Sequence, residues 1–188
     1  MSEAFTTTTG TVLAVCRNAE PGLPKPVVDT IHLLADLGVE GDYHAGKFVR
    51  HRYLAKKYPT RRNVRQVLIV DASAFQELAQ ENIRIGPGMM GENITVEGIA
   101  IMRLPEGTRL AVGTAVVEAT EVRKPCQQLN GINPSLLNAV TFKENGKKVF
   151  KAGIMTRVLK EGWVKAGDRI AVLSSKESTA EVVQQVLP

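Results

Sequence analysis

The strongest constraint on what this chain can fold into is a recurrence of short Val- and Ile-rich runs. They are "GTVLAVC" (10–16), "TIHLL" (30–34), "RQVLIV" (65–70), "NITVEG" (93–98), "RLAVGTAVVEATEV" (109–122), "VFKAGIMTRVL" (149–159) and "DRIAVL" (168–173). Runs of this length and composition predict strands. Glycine-bearing turns separate most of them. Several short strands joined in this way suggest a mostly β barrel or sandwich.

Helix signals are fewer. "DASAFQELAQEN" (71–82) predicts a helix with Ser73 as N-cap and Gln76 completing a capping box. "NPSLLNAV" (133–140) predicts another, with Asn133 at the cap and Pro134 at the first helical position. "STAEVVQQVL" (178–187) predicts a third at the C-terminus. The expected organisation is a tail over 1–9, one domain over 10–173 and a tail with a short helix over 174–188.

The 188 residues are 44% hydrophobic and 23% charged, which suits one globular domain with a real core. No run approaches the ~18 apolar residues of a membrane span. The N-terminus has neither the basic start nor the apolar stretch of a secretory signal, so the expected compartment is cytoplasmic. With two cysteines and no CxxC or HExxH, neither a disulfide framework nor a protein-only zinc site is expected.

Net charge is +5, and its distribution says more than its size. Residues 47–65, "KFVRHRYLAKKYPTRRNVR", hold eight Lys/Arg and no acidic residue, while the rest of the chain is net negative. The segment is either a solvated loop or an electropositive wall for an anion.

Three stretches carry more chemistry than strands and turns need. "GVEGDYHAG" (38–46) sets glycines around Asp42 and His44; "IGPGMMGEN" (85–93) sets glycines before Glu92 and Asn93. Such loops are tight turns, or they let backbone N–H groups cradle an anion. His44 is a proton donor or anion contact in one reading and a hydrogen-bonded structural residue in the other. "GIMTRVL" (153–159) sets Arg157 in an apolar strand, on one face with Met155 and Leu159. A cation there needs an anionic partner, for which Asp42, Glu92 and Glu121 are the candidates.

Cys126, in "RKPCQQL" (123–129), has the clearest chemical case. Arg123 and Lys124 precede it, and neighbouring cations favour a thiolate. A thiolate at a strand end is a nucleophile or a soft metal ligand; the plain alternative is an ordinary loop thiol. Cys16, inside "TVLAVC", reads as a small core residue.

Five stretches in order, "GVEGDYHAG", "RQVLIV", "PGMMGENITVEG", "GTRLAVGTAVVEATEVRKPC" and "GIMTRVLKEGWVKAGD", make the chain resemble the MOSC family, named for the C-terminal domain of molybdenum cofactor sulfurase. The likeness covers roughly residues 10–173. It implies a closed antiparallel β-barrel with a few short peripheral helices. It implies a molybdenum cofactor (a molybdopterin) with Cys126 as the metal ligand and with Cys126, His44 and Asp42 as the catalytic set. Implied cofactor contacts are Arg65, Gly91, Glu92, Asn93, Lys124 and Arg157.

The activity implied is reduction of a small N-hydroxylated substrate, with an external protein as electron donor. The alternative is a non-catalytic carrier of the cofactor, or of sulfur as a persulfide on Cys126. The chain resembles a stand-alone bacterial-type member, so no pyridoxal phosphate is expected. A homodimer is compatible with this reading. A nucleic-acid partner ranks last, because only Phe48, Tyr53 and Tyr58 interleave with the cations of 47–65.

Overall fold

The computed structural model describes residues 9–173. In chain order its strands are β1 (Thr9–Cys16), β2 (Val27–Val28), β3 (Thr30–Leu34), β4 (Gly38–Val39), β5 (Val67–Asp71), β6 (Ile94–Glu97), β7 (Arg109–Val112), β8 (Ala115–Val122), β9 (Thr141–Glu144), β10 (Lys147–Phe150), β11 (Ile154–Lys160), β12 (Gly162–Lys165) and β13 (Arg169–Val172). Three short helices accompany them: α1 (Arg52–Lys57), α2 (Ser73–Gln80) and α3 (Leu136–Ala139).

Seven strands close into a barrel in the order β13-β7-β8-β11-β5-β6-β1, with β1 pairing back onto β13. Its joints are antiparallel except between β5 and β6, which run parallel. The rest of the expected architecture, a closed barrel with few helices, is what the chain forms. A small sheet, β12-β3-β4, and a hairpin, β9-β10, lie outside the ring.

Alternation along the strands fills the interior. Val67 and Ile69 of β5, Ile94 and Val96 of β6, and Ile154 and Val158 of β11 point into one buried cluster. The outward residues of β5, Leu68 and Val70, are buried too, in a second cluster outside the wall. That cluster adds Leu78 of α2, Met90, Leu129, Leu136 of α3 and Met155. Burial on both faces explains why β5 reads as a continuous apolar run rather than an alternating one. It also pins the glycine-rich 85–93 loop and the Cys126 segment to the same patch of barrel wall.

Several local expectations are corrected. The run 109–122 is a hairpin, β7 and β8, turning at Gly113. The run 149–159 divides between β10 and β11. Ser73 is the first residue of α2, not its cap; its N–H donates to Asp71 Oδ1 at 2.9 Å, and no capping box forms. Asn133 accepts Ser135 N–H in a turn, and α3 starts only at Leu136. The C-terminal helix expected over 178–187 lies outside the described residues. Among those described, no helix is long and apolar enough to cross a membrane.

Candidate functional site

A cleft of about 760 Å³ opens beside the second apolar cluster. This volume is within the ordinary range for a small-molecule site. Four segments wall it: the 21–25 loop, the basic segment through Arg65, the glycine-rich turn at Met90–Asn93, and the end of β8 running into Cys126–Gln128. Leu68 and Met155 form part of its apolar floor.

Cys126 is exposed at the cleft, where extended backbone after β8 meets a 3-10 turn over Gln127–Gly131. That turn is anchored by Leu129, which is fully buried. The thiol donates only a weak contact, to Gln128 Oε1 at 3.6 Å. Cys16 is the opposite case. It is fully buried, and burial pushes its thiol up to about 12, so it stays protonated.

The lining is strongly cationic. Lys25, Arg50, Arg61, Arg65, Arg123 and Lys124 face one lining carboxylate, Glu121. Arg123 is 8% exposed, and one terminal nitrogen donates to Met90 O at 3.1 Å while the other, Nη1, has no hydrogen-bond partner among the described residues. Arg65 Nε pairs with Glu121 Oε1 at 3.4 Å without reaching hydrogen-bond geometry. His51 Nδ1 is also buried and unbonded. Burial pulls both guanidinium groups below their usual range. His51 falls to about 3, first through burial and then through the surrounding cationic groups, so it is neutral near pH 7. Buried N–H groups without acceptors cost folding energy unless an anion supplies them.

Behind the lining lies a hydrogen-bonded hub on Asp42, 5% exposed. Its Oδ2 accepts Lys25 Nζ at 2.7 Å, Asn93 Nδ2 at 3.0 Å and Asn18 N at 3.2 Å. Its Oδ1 accepts His44 N at 3.0 Å and lies 3.5 Å from His44 Nδ1. Burial alone would raise the Asp42 pKa, but the bonds from His44 and Lys25 outweigh it and hold the carboxyl well below its usual range. At the other end of the pair, burial pulls Lys25 down against the pull of Asp42. The donor count settles the matter for an ionised pair: a carboxylate accepting four bonds of 3.2 Å or less has no use for a proton.

The glycine-rich turn has its own internal carboxylate. Glu92 is fully buried and accepts Gly88 N, Met90 N and Thr95 Oγ1. Burial raises its pKa and these bonds oppose the rise. Gly88 has φ +81°, and a Cβ there would overlap the Lys25 carbonyl oxygen, so only glycine lets this turn and the 21–25 loop meet.

The residues singled out by sequence thus fall into three groups. His44, Arg65, Gly91, Asn93, Lys124 and Cys126 line one cleft. Asp42 and Glu92 are buried supports of its walls. Arg157 stands apart: its partner is Glu118, at 2.9 and 2.8 Å, rather than Asp42, Glu92 or Glu121, and it is not among the lining residues. Three contributors escaped the sequence reading. Lys25 and His51 carry no motif of their own. Asn63 ties the basic segment to the His44 loop through Nδ2, which donates to the carbonyls of His44 and Gly46.

A family model of the MOSC domain matches residues 41–171, and the chain belongs to that family. MOSC domains are associated with binding the molybdenum cofactor. Among solved structures, the YuaD protein from Bacillus subtilis superposes with a TM-score of 0.73 at 22% identity, over 89% of this chain and 97% of that one. YiiM from Escherichia coli gives 0.61 at 20% identity, over 95% and 75%. YiiM from Geobacillus stearothermophilus gives 0.57 at 18% identity, over 93% and 80%. These likenesses establish the fold. Among curated proteins, none matches the sequence.

Proposed function

We propose that the cleft binds a molybdenum cofactor through Cys126 and that the protein reduces small N-hydroxylated compounds, with electrons from a separate donor protein. The observation that carries this reading is the pairing of an exposed thiol with a buried guanidinium nitrogen, Arg123 Nη1, that makes no hydrogen bond among the described residues, in a cleft that also holds Arg65 Nε, 3.4 Å from Glu121, and the unbonded His51 Nδ1. Those residues fit the group. A phosphate-bearing pterin supplies acceptors for the N–H groups, and molybdenum suits a soft thiolate. When bound, the cofactor supplies two-electron redox chemistry at the metal.

The chain's own residues do the rest. Cys126 Sγ is the soft ligand. Arg65, Arg123 and Lys124 neutralise the anionic part of the ligand. Gly91 and Asn93 shape the wall beneath it, Glu92 keeps that wall rigid, and Asp42 braces His44 at the edge of the cleft.

The exposure of Cys126 supports a second reading, a carrier that hands on cofactor or sulfur without turnover. The deciding experiment is molybdenum and pterin analysis of protein made in a cofactor-competent host, together with an amidoxime-reduction assay. We expect molybdenum in the wild type, reduction of the amidoxime, and loss of the metal in Cys126→Ser with the melting curve preserved. Metal without reduction would favour the carrier. Unchanged molybdenum in Cys126→Ser would overturn the ligand role.

A further inference from the structure

We infer that His44 is the proton donor of this cleft, held in one orientation and one neutral tautomer by the buried Lys25–Asp42 pair behind it. The inference rests on the reductase reading for its substrate and on geometry for everything else.

The hub on Asp42 is asymmetric. Three donors converge on Oδ2: Lys25 Nζ, Asn93 Nδ2 and Asn18 N. Among the described residues Oδ1 meets only His44, through its backbone N–H at 3.0 Å and its ring Nδ1 at 3.5 Å. An ionised carboxylate can only accept, so at 3.5 Å, longer than a formed hydrogen bond, it favours the tautomer with hydrogen on the ring nitrogen facing it. Nδ1–H therefore belongs to the Asp42 side. Nε2 is then the ring nitrogen available to a ligand in the cleft that His44 lines. Asn63 fixes the same residue from its carbonyl side. The neighbouring rings are Tyr43, edge-on at 5.2 Å, and His51, tilted at 4.6 Å.

This arrangement matches what a proton donor needs. Breaking the N–O bond of an N-hydroxylated compound takes two electrons and two protons and releases water. The electrons come from the external donor protein. The imidazolium of His44 gives its Nε2 proton to the departing hydroxyl oxygen. The second proton comes from solvent and ends on nitrogen. His44 is left as the neutral Nδ1–H tautomer that Asp42 already holds, so the ring need not turn. Lys25 and Asp42 are positioning residues. The ammonium keeps the carboxylate ionised and immobile, and the carboxylate fixes the ring.

The chain has three histidines, which makes the test direct. Long-range 1H–15N correlation spectra of the full-length, cofactor-free protein report the tautomer of each, above the pH at which they titrate. Assignment comes from His32→Gln and His51→Gln. We expect Nδ1–H for His44 in the wild type, against the Nε2–H form that free imidazole side chains prefer.

In Asp42→Asn the amide must keep its oxygen on the side with three donors. Its NH2 then loses the bond from the His44 backbone N–H and faces His44 Nδ1 as a donor, and the tautomer should switch to Nε2–H. The wild-type spectrum decides the matter even if that variant does not fold. In metal-loaded protein, His44→Gln should lower kcat about a hundredfold or more, with KM and molybdenum content little changed.

An Nε2–H His44 in the wild type, or a kcat within threefold in metal-loaded His44→Gln, overturns the donor role alone. Failure of metal-loaded wild type to reduce any N-hydroxylated probe overturns the reductase reading and, with it, the donor role. Cys126→Ser separates the two, because it should strip molybdenum and leave the His44 tautomer unchanged.

Discussion

Lys25→Met is the most informative single perturbation of stability, because it removes one charge from a pair that is almost wholly out of water. The side chains of Lys25 and Asp42 are 4% and 1% exposed, and their charged atoms are 2.7 Å apart. Solvent screening, which discounts surface pairs, barely applies. Leaving one member of such a pair unmatched costs about 3–5 kcal/mol. Asp42 would keep Asn93 Nδ2, Asn18 N and His44 N, which places the expected loss at the lower end, about 3 kcal/mol.

For a chain of this size that lowers Tm by about 6–12 °C. The pH dependence has a definite sign. The folded-state pKa of Asp42 is depressed, so its stabilisation is complete above the unfolded carboxylate value of about 4 and is lost as pH falls towards the folded value. Without the ammonium the depression shrinks. The gap between wild type and variant should therefore be constant from pH 8 to about 5 and narrow below about pH 4. Calorimetric melts across that range measure it. A gap under about 2 °C at pH 7, or one that fails to narrow in acid, refutes the reasoning. Lys25→Met/Asp42→Asn should recover more than half of the loss, since neither buried charge remains.

Three further outcomes are expected. Gly88→Ala should destabilise by about 2 kcal/mol or more, because φ +81° and overlap with the Lys25 carbonyl both penalise a Cβ; a denaturant titration reads this directly. His51, held near 3 when folded, contributes stability that is present above about pH 6.5 and lost as pH falls towards 3. His51→Gln should accordingly flatten the acid limb of the Tm–pH curve by about 1–2 kcal/mol, allowing for partial exposure. Cys16→Ser should cost about 1–3 kcal/mol, by burying a hydroxyl where a thiol packs, and should leave molybdenum content unchanged.

The barrel was legible where strands carry dense β-branched residues. "TIHLL" is β3 to the residue, and "GTVLAVC" is β1 but for one position. β12, "GWVK", was missed because four residues flanked by charge make no pattern. The β9-β10 hairpin was missed although its signal was present. Asn145-Gly146, both at positive φ, is the standard two-residue turn between short strands.

The cleft was legible only where residues cluster in sequence, as Cys126 with its cations and the glycine turns do. Lys25 lies in a proline-flanked loop, and nothing local says that its ammonium is buried against Asp42. Arg157 misled for the complementary reason: a cation in an apolar strand signals a partner but not which one, and Glu118 on the adjacent β8 is the register neighbour. His51 looked like one member of a charge run, and its neutrality follows from the burial that the fold imposes on it and then from the cationic groups gathered around it.

The single parallel joint between β5 and β6 has a consequence that is purely a matter of parity. Directions can alternate all the way around a ring only if the ring has an even number of strands. Seven strands cannot do so, and one seam must join like to like. A parallel seam cannot be closed by a tight turn; its two strands need a long crossover. Here the crossover is residues 72–93, and it contains α2 and the glycine-rich turn that walls the cleft. The segment that carries Gly88, Gly91, Glu92 and Asn93 is therefore not an ornament that could be trimmed from a finished barrel. An odd-stranded ring obliges the chain to spend a long excursion at that seam, and the cleft stands where that excursion returns to the wall.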